Sequence, residues 1–141
     1  MKVRMVMLGK TRRAELRALV EDYLGRVRRF TPIEANELRQ ADALERLKVE
    51  PTAEWVLLDA GGREFDSQGF ARWLGGLRDR GVREMVFLCG DAEGFPESWR
   101  ERARERLSLG RLTLSHELAR VVLVEQIYRA FALLAGHPYP K

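Results

Sequence analysis

The alternation of short apolar runs with longer amphipathic ones constrains this chain most. Glu54-Trp-Val-Leu-Leu-Asp-Ala60 and Arg83-Glu-Met-Val-Phe-Leu-Cys89 are two such short runs, each followed directly by glycine. Runs of this kind read as strands buried on both faces. Around them, apolar residues recur at helical spacing. Strands alternating with helices predict an α/β chain with a mostly parallel sheet flanked by helices. In such sheets ligands bind at the carboxyl ends of strands.

Residues 2–8 alternate and predict a first strand closed by Gly9. Thr11 is expected to cap a helix running to about Phe30, with Leu16, Leu19, Val20, Tyr23, Leu24 and Val27 on one face. Its other face carries Arg12, Arg13, Arg17, Arg26 and Arg28, which reads as a solvated face or as a phosphate-facing patch. Pro32 breaks that helix; residues 33–38 suit a second strand near an edge, and 39–50 a short helix. The strand at 54–60 is expected to end at Gly61-Gly62, and Ser67 to cap a helix to about Arg80, interrupted at Gly75-Gly76. Pro96 opens a short charged helix over 97–106. Leu107–Leu114 is expected as the final strand, Ser115 as the cap of the last helix, and Gly136 as its end.

The 141 residues fit a single domain, 1–141, able to bury a proper core without staples. Net charge is +4, and arginine supplies nearly all the positive charge; lysine stands only at positions 2, 10, 48 and 141. Arginine forks match phosphate and stack on bases, so this surface suits RNA as well as it suits an arginine-favouring source. Cys89 is the single cysteine, which excludes an internal disulfide. The apolar run at 1–8 is too short for a signal peptide, and no stretch approaches the roughly 18 apolar residues of a membrane span. A soluble cytoplasmic protein without a membrane segment is expected.

Several chemistries lack their residues. There is no G-x-G-x-x-G after the first strand and no Walker loop. His116 and His137 are the only histidines and lie far apart, so no metal site is expected. Cys89 ends a buried strand and reads as a small hydrophobe. Gly90-Asp-Ala-Glu-Gly94 reads as a tight turn or as a ligand loop. Its two acids disfavour a phosphate and tolerate a cationic or zwitterionic ligand.

The last helix is apolar in nearly every direction, through Leu118, Val121, Val122, Leu123, Val124, Ile127, Tyr128, Phe131, Leu133 and Leu134. A helix of this kind is buried on both sides, and a homodimer seam is the economical cover. Its polar stripe is Glu125, Gln126 and Arg129; Glu125 and Arg129 are spaced to pair, at a site or as a structural ion pair. The tail His137-Pro-Tyr-Pro-Lys141 sets imidazole, phenol and ammonium groups just beyond it. Tyr139 suits stacking on a base, and His137 and Lys141 suit phosphate or the reacting base.

Five motifs stand in order. They are Leu58-Asp-x-x-Gly62, Gly90-x-x-Glu-Gly94, Leu107-Ser-Leu-x-x-Leu-Thr-Leu-x-His116, Arg120-Val-Val-Leu-x-Glu-Gln-Ile-Tyr-Arg-Ala130 and His137-Pro-Tyr139. In this order the chain resembles the RlmH family, SPOUT-class methyltransferases of large-subunit ribosomal RNA, over its whole length. The resemblance implies an α/β SPOUT domain with a C-terminal trefoil knot. It implies S-adenosylmethionine held by Leu58, Gly90, Leu109, Gly110, Arg111, Leu112, Thr113 and Leu114. The implied activity is methylation at N3 of a pseudouridine in 23S rRNA on assembled 70S ribosomes. The implied enzyme is a homodimer in which one subunit's tail completes the other's site. Arg129 is the candidate for electrostatic stabilisation of a deprotonated base, and His137 and Tyr139 for base positioning or proton handling. His116 is expected to organise the start of the last helix.

The chain departs from the family pattern at Asp91, where a second glycine is common, at Ser115, where proline is common, and at Pro140, where histidine is common. The region around 39–50 is shortened. Two other readings follow: a SPOUT methyltransferase of another RNA such as tRNA, and a catalytically weak dimeric module that binds RNA or ribosomes.

Overall fold

The computed structural model describes residues 1–139. Five strands form one sheet: β1 (Lys2–Leu8), β2 (Ile33–Leu38), β3 (Glu54–Glu64), β4 (Glu84–Cys89) and β5 (Glu105–Ser108). The order is β2-β1-β4-β3-β5, and every pairing is parallel. Four α-helices accompany it: α1 (Ala14–Val27), α2 (Ser67–Asp79), α3 (Glu97–Arg102) and α4 (His116–Leu134). The expected parallel sheet flanked by helices is the observed architecture.

Alternation along β1 divides the core. Val3, Met5 and Met7 face a cluster with α1, α2 and α4, whereas Val6 faces a smaller one around Leu44 and Trp99. β4 is buried at all six positions, as expected of a central strand with covered faces. One buried polar group is part of this frame. Arg4 reaches Glu84 at 2.9 Å and also binds Glu34, Asn36 and the Lys48 carbonyl, tying β1 to β4 and β2.

Several boundaries differ from the sequence expectation. β3 does not end at Gly61-Gly62 but continues to Glu64. Its pairing with β5 shifts register between Leu58 and Arg63. A Cβ on Gly62 would stand 2.6 Å from the Arg106 backbone, so this glycine permits strand approach rather than ending the strand. Asp66, not Ser67, caps α2, accepting from the Gly69 N–H at 2.6 Å. α2 runs unbroken through Gly75-Gly76, because Leu134 of α4 packs where a Cβ on Gly75 would lie. The 39–50 segment contributes only a 3-10 turn, Ala41–Arg46. The charged helix stops at Arg102, and the final strand is Glu105–Ser108 rather than Leu107–Leu114. Leu109–Leu114 alternates like a strand but leaves the sheet as a loop. Thr11 does not cap α1; it is buried, with its hydroxyl accepting from Arg120 at 2.9 Å.

α4 was expected to need a partner chain over much of its surface. In the fold it lies against α1 and α2, which with the sheet bury Leu123, Val124, Ile127, Ala130 and Phe131. The apolar surface left over is a stripe of Leu118, Val121, Val122 and Leu133, with Glu125 and Arg129 at its centre. The expected ends of α4 hold: the Ser115 hydroxyl accepts from the Leu118 N–H at 3.3 Å. Gly136, at φ +68°, closes the helix with N–H bonds from Gly136 to Leu133 and from His137 to Ala132. Among the described residues no helix is long and apolar enough to cross a membrane.

Candidate active site

The carboxyl ends of β4 and β5 and the middle of β3 border a cavity of about 210 Å³. Two loops and a segment of β3 wall it. After β4, Gly90–Gly94 closes a tight turn through paired backbone bonds between Asp91 and Gly94, both 2.9 Å. The Asp91 carboxylate accepts from the Glu93 N–H at 2.9 Å, so this acid serves the turn itself. A Cβ on Gly90 would stand 2.4 Å from the Gly94 carbonyl oxygen, so only glycine fits.

The second loop, 109–114, is anchored by the buried Ser108, whose hydroxyl both donates to the Gly110 carbonyl at 3.0 Å and accepts from its N–H at 3.1 Å. Leu112 stands 86% exposed at its mouth. The third wall is Leu58-Asp59-Ala60 of β3, where Asp59 pairs with Arg106 at 3.2 Å and Arg100 at 3.6 Å.

Of the residues expected to hold a cofactor, Leu58, Gly90, Leu109, Gly110, Leu112, Thr113 and Leu114 line this cavity. Arg111 sits exposed on the same loop and is not in the lining. Asp59, Phe95, His116 and Ala119 also line it and were not singled out for it. Asp59 had a signal, its place at a strand end; Phe95 and Ala119 had none. Cys89 lies beneath, buried, its thiol pushed up to about 12 by burial, consistent with a hydrophobe rather than a nucleophile.

The floor beneath is polar. Arg120, 0% exposed, donates to the Thr11 hydroxyl and to the Leu8 carbonyl at 2.7 Å, while its Nε meets no partner among the described residues. Beside it Glu117 accepts the N–H groups of Arg12 and Arg13, both at 3.1 Å. Those two bonds are the main reason its pKa falls below the ordinary glutamate value. They tie the entrance of α1 to the first turn of α4.

The three candidate catalytic residues lie elsewhere. Arg129 and Tyr139 come together on Glu125: Arg129 donates from Nε at 3.2 Å and Nη2 at 3.0 Å, and the Tyr139 hydroxyl at 2.9 Å. The guanidinium stacks on the Tyr139 ring at 4.3 Å. Burial first, then hydrogen bonding to Tyr23 and Glu125, raises the Tyr139 pKa. Tyr139 is therefore a protonated donor at neutral pH. His137 is apart from this pair, exposed and packed edge-on against Phe30 at 5.9 Å. Pro140 and Lys141 lie outside the described residues.

None of these three lines the cavity. His116, which does, is thirteen residues before Arg129 on α4, about 20 Å along a helix.

A family model described as "Predicted SPOUT methyltransferase" matches residues 1–140. The chain belongs to the SPOUT methyltransferase family. Among proteins similar to it are two named ribosomal RNA large subunit methyltransferase H. That of Koribacter versatilis is 42% identical over 142 residues, covering 99% of this chain and 97% of that protein. That of Geobacter metallireducens is 44% identical over 151 residues, covering 99% and 98%. A probable methylase family protein from Haemophilus influenzae Rd KW20 has a similar fold, at TM-score 0.60 and 9% identity, over 99% of this chain and 72% of that one.

Proposed function

We propose that this SPOUT methyltransferase methylates N3 of a pseudouridine in 23S ribosomal RNA, using S-adenosylmethionine, as a cytoplasmic homodimer acting on 70S ribosomes. Methylation of large-subunit rRNA rests on the relatives' names and near-complete coverage. The observation that carries the rest is the cavity at the strand ends, walled by backbone loops at the positions where the family resemblance puts its methyl donor.

The residues fit that donor. Leu58, Leu109, Leu112 and Leu114 offer apolar walls, and Gly90 lets the 90–94 turn close tightly beside them. The donor supplies an electrophilic methyl group on a sulfonium. Leu58, Gly90, Leu109, Gly110, Leu112, Thr113 and Leu114 would hold it, with Arg111 at the loop's outer side. The C-terminal trefoil knot of the family, formed where 109–114 leads into α4, is part of the proposal.

N3 of the base must lose its proton before it takes a methyl group. Arg129 favours the deprotonated base by its charge, and Tyr139, its hydroxyl proton held by Glu125, is the candidate for positioning the base. His137 remains a candidate for proton handling. The separation along α4 is the argument for a dimer: one chain's cavity needs another chain's Arg129 and Tyr139. The half-exposed stripe of α4 carries both the apolar residues for a seam and the Arg129–Tyr139 pair at its centre.

The test is a mass-spectrometric map of rRNA methylation with and without the protein, beside methyl incorporation into 70S ribosomes, free rRNA and tRNA. One missing N3-methyl mark on large-subunit rRNA is expected. An unchanged map with label entering tRNA would overturn the substrate, and calorimetry without S-adenosylmethionine binding at millimolar concentration would overturn the cofactor.

A further inference from the structure

Glu125 is more than one half of a surface ion pair. Its Oε2 receives three donors, Nε and Nη2 of Arg129 and the hydroxyl of Tyr139. Its Oε1 receives Gln126 Nε2 at 2.8 Å. Gln126 Oε1 in turn accepts from the Ser67 hydroxyl at 2.7 Å, and Ser67 is the first residue of α2. A hydrogen-bonded chain therefore runs from the rigid start of α2, through two side chains of α4, to the guanidinium and the phenol.

The geometry points to Glu125 as the positioning residue of the methyltransferase, the carboxylate that sets Arg129 and Tyr139 into one rigid pair, with Gln126 and Ser67 fixing it from behind. This rests on the proposed roles of Arg129 and Tyr139.

The physical reason lies in the groups being held. Arginine carries a long flexible side chain, and Tyr139 belongs to a short tail past a helix end. Neither has a defined orientation by itself. A carboxylate has about four acceptor sites and no donor, so it can take several donors at once. Held on one oxygen, the guanidinium plane lies against the Tyr139 ring. Tyr128 closes the other side, its ring 4.8 Å from that of Tyr139 and edge-on. A glutamine here would offer one acceptor and one NH2 group. With that NH2 toward the Arg129 and Tyr139 donors their acceptor is lost, and with it toward Gln126 the chain re-forms only if Gln126 flips and Ser67 turns from donor to acceptor. The relay also commits the orientation of Gln126, because its oxygen is taken by Ser67 and its amide by Glu125.

The experiment measures methyl transfer to 70S ribosomes by the full-length dimer, with thermal stability and S-adenosylmethionine affinity for each variant. In E125Q, kcat falls on the order of tenfold to a hundredfold with the cofactor KM unchanged, as expected when positioning but not binding is lost. E125D keeps the charge and recovers part of the rate. The double variant E125Q/R129A loses less than the product of the two single losses, because Glu125 acts partly through Arg129. A structural role alone would lower stability without this split or this non-additivity.

Wild-type kcat in E125Q beside an inactive R129A overturns the inference, as does a double variant whose losses multiply. Full activity of R129A overturns the assignment of Arg129 itself, so the two failures are distinguishable. If E125Q fails to fold, S67A and Q126M carry the test: a lower kcat at unchanged KM supports the relay, and a wild-type kcat in both overturns it.

Discussion

The two halves of the candidate site are built in opposite ways. The cavity at the strand ends is made of backbone: glycine turns, a serine-anchored loop and leucine walls, all within one chain. The Glu125–Arg129–Tyr139 group is made of side chains on a helix surface, with every contact depending on charge and hydrogen-bond direction. A backbone cradle is fixed by the fold and tolerates little change in shape. A side-chain cluster is fixed by its neighbours and tolerates shape changes better than changes of charge. Substitutions should therefore separate binding from rate.

The largest effect is expected at the side-chain end. Arg129→Ala should lower kcat about a hundredfold or more, the scale of losing one group that stabilises developing charge, while calorimetry gives unchanged S-adenosylmethionine affinity. A matching loss of affinity would erase the contrast. Next, Gly90→Ala sets a methyl group against the Gly94 carbonyl. Moving that turn should weaken cofactor binding roughly thirtyfold, equivalent to about 2 kcal/mol, with the stripe of α4 untouched.

Mixing the two variants sharpens the comparison further. If each site joins one chain's cavity to the other chain's Arg129, equal mixing of the two homodimers, at a cofactor concentration too low to load Gly90→Ala, restores about a quarter of wild-type activity, since half the dimers then carry one intact site of two. No recovery after verified subunit exchange would put both halves in the same chain. The smallest effect is expected away from both halves. Glu117→Gln removes one of two acceptors and the charge, and should cost about 1 kcal/mol, read as a drop in Tm of roughly 4 °C. The Glu117 pKa is lowered in the fold, so its contribution is full above the ordinary glutamate value and disappears as pH falls through the lowered one. The wild-type advantage over Glu117→Gln should shrink at acid pH accordingly.

The sheet and the last helix were legible because their signals are local. β1 is an apolar stretch broken by Arg4, β4 an apolar run after Glu84, and Ser115 and Gly136 bound α4 by capping chemistry that depends on neighbours a few residues away. Gly61-Gly62 and Leu107–Leu114 were misread because the deciding contact is distant. Gly62 answers to Arg106 across the sheet, and Leu109, Leu112 and Leu114 all line the cavity. Thr11 looked like a cap and proved to be a buried acceptor for Arg120, far along the chain. At the site, most cofactor-wall residues were readable as strand ends and loop motifs. The pairing of Glu125 with Arg129 was readable from spacing, but the arrival of Tyr139 and the Ser67–Gln126 link were not, since they join residues fixed only by packing.

The bonds that seat the beginning of the chain against its end have a consequence for synthesis. Arg12 and Arg13 wait on Glu117 across separations of 105 and 104 residues, and Thr11 waits on Arg120 across 109. Until the last quarter of the polypeptide has emerged, the opening of α1 lacks its acceptor and the loop after β1 lacks its anchor. These bonds can close only once α4 has been made, which makes the seating of α1 a late, long-range step of folding.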